Sequence, residues 1–186
     1  MVTYCRSQTI ADLEGILQLQ QLNLRKNLTE EEINTQGFVT VEHTFSQLKG
    51  LNDREPHVIA LADSRIIGYV LAMTRASQAD IPILVPMFKA FEAISFQGKP
   101  FSDHHYILCG QACVDKYFRG MGILDGCYRA FRDYYGEKYD FVATEIARTN
   151  PRSLRAHERI GFRPIHTYFD PLGTEWIVVV WDWGKR

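Results

Sequence analysis

The chain has 186 residues, 46% of them hydrophobic and 23% charged, enough for a sizeable core and, as an expectation, one domain over 1–186. Twenty-one Lys and Arg against 22 Asp and Glu give a net charge of −1, so no charge excess advertises a nucleic acid or an anionic membrane as partner. No apolar run approaches the roughly 20 residues of a membrane span, and the N-terminus shows no charged-then-apolar leader, so a cytoplasmic location is expected.

The alternation over 2–6 predicts a first strand, and the apolar spacing of Ile10, Leu13, Leu17 and Leu24, behind a cap at Ser7 or Thr9, predicts a helix over 10–24. Thr29 followed by Glu30, Glu31 and Glu32 reads as a second helix start, with acidic residues where the helix dipole favours them. A third helix fits 41–51, closed by Gly50 and the polar Asn52, Asp53 and Arg54. Residues 57–62 and 66–74 read as a hairpin turned at Asp63, Ser64 and Arg65, and Gly68 within it implies a bulge or a close backbone approach. Between 75 and 104 the pattern is irregular. Pro82 and Pro86 break it, 87–96 fits a short helix, and Gly98, Lys99 and Pro100 close it. A connection this long between strands is more often functional than decorative, and it is taken as a flap beside the site.

The stretch 106–135 organises the remainder. It reads as an apolar strand over 106–114, a turn carrying Arg119, Gly120, Met121 and Gly122, and a long amphipathic helix over about 121–137. A glycine-rich turn into a helix suits phosphate, because the first N–H groups of a helix have no partners within it and the dipole leaves positive charge there. Arg119 adds a guanidinium fork. Neither a Walker A loop nor a dinucleotide fingerprint matches, since Asp125 stands where the third glycine of the latter would be. The remaining signals are a strand over 141–146, a helix opened by Asn150 and Pro151 and closed by Gly161, and a closing hairpin of 163–169 and 176–183. The order is mixed α/β, without repeat or linker.

Cys5, Cys109, Cys113 and Cys127 show no zinc-like spacing, and no metal is expected. Cys109 and Cys113, four apart on one strand, share a face if that strand is regular. With a nearby His104 or His105 they also allow a thiol enzyme.

The run from Val114 through Arg119, Gly120, Met121 and Gly122 to Ile123, followed about thirty residues later by Asn150, Ser153, His157, Gly161 and Phe162, resembles the GNAT superfamily of acetyl-CoA-dependent N-acetyltransferases. The resemblance covers nearly the whole chain and implies a mainly antiparallel central sheet of six to seven strands flanked by helices. It implies acetyl-CoA as co-substrate, its diphosphate wrapped by the stretch 119–124 (Arg119, Gly120, Met121, Gly122, Ile123 and Leu124). The pantetheine arm would lie along Cys113 and Val114 and beside Asn150 and Ser153, wedged where the strands at Val114 and Ile146 splay. The acetyl oxygen would face backbone N–H groups of the central strand. Two positions depart from the family pattern. Leu124 stands where a small residue is usual, and His157 where many members place a tyrosine that protonates the CoA thiolate.

The implied acceptor is a primary amine of a small molecule, amino acid or peptide, attacking directly in a ternary complex. The alternative is a GNAT-like domain that senses acyl-CoA without turnover. His157 and His105 are the catalytic candidates. His157 serves as acid if protonated or if it orders a water, and otherwise packs, while the base is sought among Asp80, Asp103, His104, His105 and Glu145, a water chain to solvent also sufficing. Adjacent strand residues point oppositely, so at most one of His104 and His105 faces the site. The apolar stretch 176–183 needs cover on both faces, from its own helices or from a homodimer partner.

Overall fold

The computed structural model describes residues 1–79 and 81–184. Strand β1 (Val2–Arg6) leads into α1 (Ile10–Asn23), whose start is fixed by a reciprocal cap: Thr9 Oγ1 accepts the Asp12 N–H, and the Asp12 carboxylate accepts the Thr9 N–H. Thr29 and Glu32 open α2 (Glu30–Gln36) in the same way. So do Thr44 and Gln47 for α3 (Phe45–Arg54). This cap corrects the expected 41–51 helix. With Thr44 as cap, residues 41–43 lie outside the helix, and Gly50 is in its interior.

Strands β2 (Val58–Ala62) and β3 (Arg65–Met73) turn at Asp63 and Ser64, both with positive φ. The segment 75–104 holds α4 (Val85–Glu92) and a minute hairpin of β4 (Ser95–Phe96) and β5 (Lys99–Pro100). Then follow β6 (Tyr106–Val114), α5 (Ile123–Tyr135), β7 (Phe141–Ala147), α6 (Pro151–Ile160), β8 (Arg163–Phe169) and β9 (Glu175–Asp182).

Seven strands make one sheet in the order β1-β2-β3-β6-β7-β9-β8. Every pairing is antiparallel except β6 with β7. Helix α5 covers one face, where Ile123, Cys127, Tyr128 and Phe131 meet Val70, Ile107 and Val142. On the other face α1 packs with Ile59, Tyr69 and Leu71. The 75–104 segment joins that face, packing Met87, Phe88, Phe91 and Phe101 against Phe141, Val178 and Val180. Phe101 is wholly buried, with ring centroids 4.6 Å from Tyr106 and 5.3 Å from Phe141. Such a burial contributes about 2–3 kcal/mol. The expected flap is thus mostly core. Elements of the same chain cover both faces of β9, with Ile177 and Val179 on the α5 side and Val178 and Val180 on the other. No helix among the described residues is long and apolar enough to cross a membrane.

Candidate active site

The site begins with one extra residue in β6. Leu71 pairs with Gln111 and Ala72 with Cys109, so Gly110 has no partner on β3 and the strand bulges there. A bulge exchanges the faces beyond it. Cys109 packs on the α5 side, and Cys113 on the α1 side. The expectation that the two thiols share a face is therefore overturned, because the strand is not regular. Beside the bulge, the Ala72 N–H is taken by His57 Nδ1 at 3.1 Å, and His57 Nε2 meets the Leu48 carbonyl at 3.1 Å. This wholly buried imidazole is held neutral, its pKa pushed down to about 4 by burial. Burial likewise pushes the Cys109 thiol up to about 11 and Cys113 to about 12, far from nucleophilic thiolates.

Strands β6 and β7 pair only at Tyr106, Ile107 and Leu108 with Phe141, Val142 and Ala143. Beyond that they part, bridged once by Thr144 Oγ1 donating to the Cys109 carbonyl at 2.8 Å. Two adjoining cavities open in the gap. The larger, about 760 Å³, lies against the starts of α5 and α6; the smaller, about 90 Å³, lies between the parted strands and Leu84, Met87 and Trp176. His157, Asn150, Ser153 and Ala112 border both.

The larger cavity has a cationic lining. Gly120 and Gly122 hold φ of +78° and +75°, left-handed values that favour glycine. The first backbone bond of α5 runs from the Gly126 N–H to the Gly122 carbonyl, so the Ile123 and Leu124 N–H groups have no acceptor within the helix. Arg119, Arg129, Arg152, Arg155 and Arg159 line the cavity against one carboxylate, Asp125, which Arg159 clasps at 2.7 and 3.2 Å. Nine expected residues border it: Cys113, Val114, Arg119, Gly120, Gly122, Ile123, Leu124, Asn150 and Ser153. Met121 does not, its side chain being exposed to solvent.

Arg119 and Asn150 border the cavity with their polar groups already engaged. Arg119 Nε donates to the Val114 carbonyl at 3.0 Å, its Nη1 to the Gln36 carbonyl at 2.9 Å, and its Nη2 to Asn23 Oδ1. Asn150 Oδ1 accepts the Ser153 N–H as the cap of α6, and its Nδ2 reaches the Phe38 carbonyl. Arg152 donates to the Thr35 carbonyl at 2.8 Å, and Gln111 to the Val41 carbonyl at 2.8 Å. Four side chains thus pin residues 35–41 as a strap over the parted strands. At Gly37, with φ of +74°, a Cβ would approach Asn150 Oδ1 to 3.0 Å. Sequence reading missed this strap, since its anchors are backbone carbonyls, two in the last turn of α2 and two beyond it, that carry no side-chain signature.

His157 Nδ1 lies 2.8 Å from the Ser153 carbonyl, which accepts only, so Nδ1 carries the hydrogen and Nε2 accepts from the Tyr128 hydroxyl at 2.8 Å. Burial pushes the ring pKa down to about 4. Both nitrogens are committed and the ring is neutral, which favours the packing role over the acid role. Tyr128, wholly buried, went unnoticed in the sequence because it reads as part of the apolar stripe of α5.

Glu145 lines the smaller cavity and accepts the Tyr168 hydroxyl at 2.5 Å. Burial pushes its carboxyl from the ordinary 4.5 up to about 7, the Tyr168 bond opposing and Asp170 adding to the rise. The other base candidates lie elsewhere. His104 is buried with Nε2 at the Phe96 carbonyl, and Asp103 is exposed. His105, expected as a catalytic residue, borders neither cavity; it stands exposed before β6, where its N–H meets Asp140, at the end remote from the bulge. Asp80 lies outside the described residues. No cluster of His, Cys, Asp or Glu that could hold a metal ion occurs among the described residues.

No protein-family model matches the sequence, and the search of curated proteins finds no match. Solved structures do match. The ribosomal-protein-S18-alanine N-acetyltransferase of Escherichia coli aligns at 13% identity over 98% of this chain and 94% of its own, with a TM-score of 0.62. The NatC complex bound to Gag peptide and CoA gives 13%, 97% and 98%, with 0.65. The putative acetyltransferase yncA from Salmonella typhimurium, solved with its cofactor acetyl-CoA, gives 12%, 100% and 95%, with 0.63. Over essentially its whole length the chain has the fold of the GNAT N-acetyltransferases.

Proposed function

We propose that the protein transfers an acetyl group from acetyl-CoA to a primary amine by direct attack. The observation that carries this is the parting of β6 and β7 beside an arginine-rich helix start, with a carboxylate of raised pKa in the gap. A molecule with an anionic end and a long neutral arm fits that shape. The Ile123 and Leu124 N–H groups, with Arg129 and Arg155, would hold the phosphates, while the open edge of β6 at Cys113 and Val114 would pair with the arm as a strand does. Similarity to structures solved with CoA or acetyl-CoA supports the same co-substrate.

Acetyl-CoA supplies the activated thioester. An amine arrives as ammonium and must lose one proton before attack. Glu145, ionised above about pH 7, takes that proton. The N–H groups on the unpaired edge of β6 beyond Leu108 receive the carbonyl oxygen as it becomes an oxyanion. The second proton of the attacking nitrogen passes to the departing thiolate, so the exchange closes as amide, CoA thiol and one released proton. His157, held in place by the Tyr128 hydroxyl, forms part of the channel wall.

Thiol release from acetyl-CoA against a panel of amines and peptide N-termini tests the reading. Release that depends on an amine, with a product heavier by one acetyl group, is expected. Acetyl-CoA binding by calorimetry without release for any amine would replace transfer with acyl-CoA sensing.

A further inference from the structure

We propose that the acceptor pocket selects primary amines whose neighbouring carbon bears no carboxylate: alkylamines or the α-amines of peptides and amides, and not free amino acids. This rests on the smaller cavity being the acceptor side of the transferase just proposed. The two cavities differ sharply in charge. Five arginines border the larger, whereas no Lys or Arg borders the smaller among the described residues, and its one carboxylate is Glu145. An acceptor ammonium finds a counter-charge there. A carboxylate beside that ammonium finds a like charge a few ångströms away.

Neutral donors compensate little, because most side-chain donors facing the cavity have partners within the chain and the free N–H groups of β6 are the ones assigned to the acetyl oxygen. The Gln111 amide gives one of its two hydrogens to the Val41 carbonyl, and its oxygen is taken by Gln20 and Tyr69. Asn150 Nδ2 is held by Phe38, Thr144 Oγ1 by Cys109, Trp176 Nε1 by Asp170 and His157 Nδ1 by Ser153. A carboxylate entering the cavity would shed its water and find, among the described residues, no cation and few uncommitted donors in return. The remaining wall, Val41, Leu84 and Met87, suits a neutral, apolar body.

The test compares alanine with isopropylamine, which has a similarly basic nitrogen and no carboxylate, and with an alanine peptide amide. Rates are corrected for the fraction of free amine. Thiol release is measured alongside calorimetric binding to the protein–CoA complex. A kcat/KM at least about tenfold above that of alanine is expected for isopropylamine or the peptide amide, and which of the two leads identifies the source. Val41→Lys, which adds a cation at the wall, should raise alanine relative to isopropylamine, an effect that simple loosening of the pocket would not produce. Alanine equal to isopropylamine in rate and binding overturns the proposal, as does a failure of every amine to bind. Selective amine binding without thiol release would sustain the pocket's selectivity and remove the transferase reading.

Discussion

Glu145→Gln separates a general base from a bystander. Glutamine keeps the shape and can still accept the Tyr168 hydroxyl, but it carries no charge at any pH. In the native chain the carboxyl titrates at about 7 in place of 4.5. At 1.36 kcal/mol per pH unit the difference is about 3 kcal/mol. The pKa is raised by folding, so between pH 4.5 and 7 the native state holds a proton that the unfolded chain has lost. Stability from this group is therefore full below 4.5, falls across that window, and the cost is complete above 7. At pH 8 the variant should be the more stable by up to about 3 kcal/mol in urea unfolding, and at pH 4 the advantage should vanish. Its kcat/KM should fall about 10²- to 10⁴-fold at pH 8 and lose the ascending limb near 7 expected of the native protein. A variant that keeps that limb refutes the base assignment, and one destabilised at pH 8 refutes the burial argument beneath it.

Arg119→Ala removes the donors that hold Gln36, Val114 and Asn23; stability should fall by about 2–3 kcal/mol and the acceptor KM should rise more than that of acetyl-CoA. Loss of CoA binding at an unchanged Tm would instead return Arg119 to the role of phosphate ligand. In Gly68→Val the new Cβ would stand 2.9 Å from Ile123 Cγ2 and 3.3 Å from the Cys113 carbonyl, so a loss of about 1–3 kcal/mol is expected in thermal unfolding. Because Ile123 opens α5, acetyl-CoA affinity should fall with it, and a variant with native affinity counts against the close packing of that turn. His43, His57 and His157 each titrate at about 4 in place of 6.5. Their stabilisation is full above 6.5 and is lost as pH falls toward 4, while Glu145 gains in the same window, so unfolding should take up about two protons near pH 5. Urea midpoints that do not change between pH 7 and 5 would contradict that balance.

Elements governed by local chemistry were legible in the sequence. The capped starts at Thr9, Thr29 and Asn150 announce themselves in a few letters, as do the glycines of the α5 turn and the alternation of the outer strands. Nine of ten expected cofactor-side residues border one cavity for the same reason, since a turn and the helix start after it lie together whatever the rest does. What was not legible depends on long-range contacts. That Gly110 is extra in β6 depends on which residues β3 sets opposite it, and the strap depends on side chains 70 to 117 positions away. Glu145 was one base candidate among several until the parting of β7 from β6 and the contact with Tyr168 gave it an environment.

The bulge, the parted strands and the strap form one device. If β6 ran regularly through Gly110, Gln111 would fall on the α5 face with Cys109, and the Val41 carbonyl would lose its donor. The buried bonds from Gln20 and Tyr69 to Gln111 would go as well, leaving polar atoms uncompensated in the core. The same flip leaves the edge of β6 beyond Leu108 facing a gap, with the strap lying across it. Arg119 reaches from the turn before α5 to grip that strap at Gln36, and Asn150 caps α6 while gripping it at Phe38. The proposed anion end and the proposed amine end therefore share two clamps. If the proposed sites hold, an anion at the α5 turn would lie beside residues that also hold the acceptor's roof, and ordered binding with acetyl-CoA first is the expected kinetic sequence.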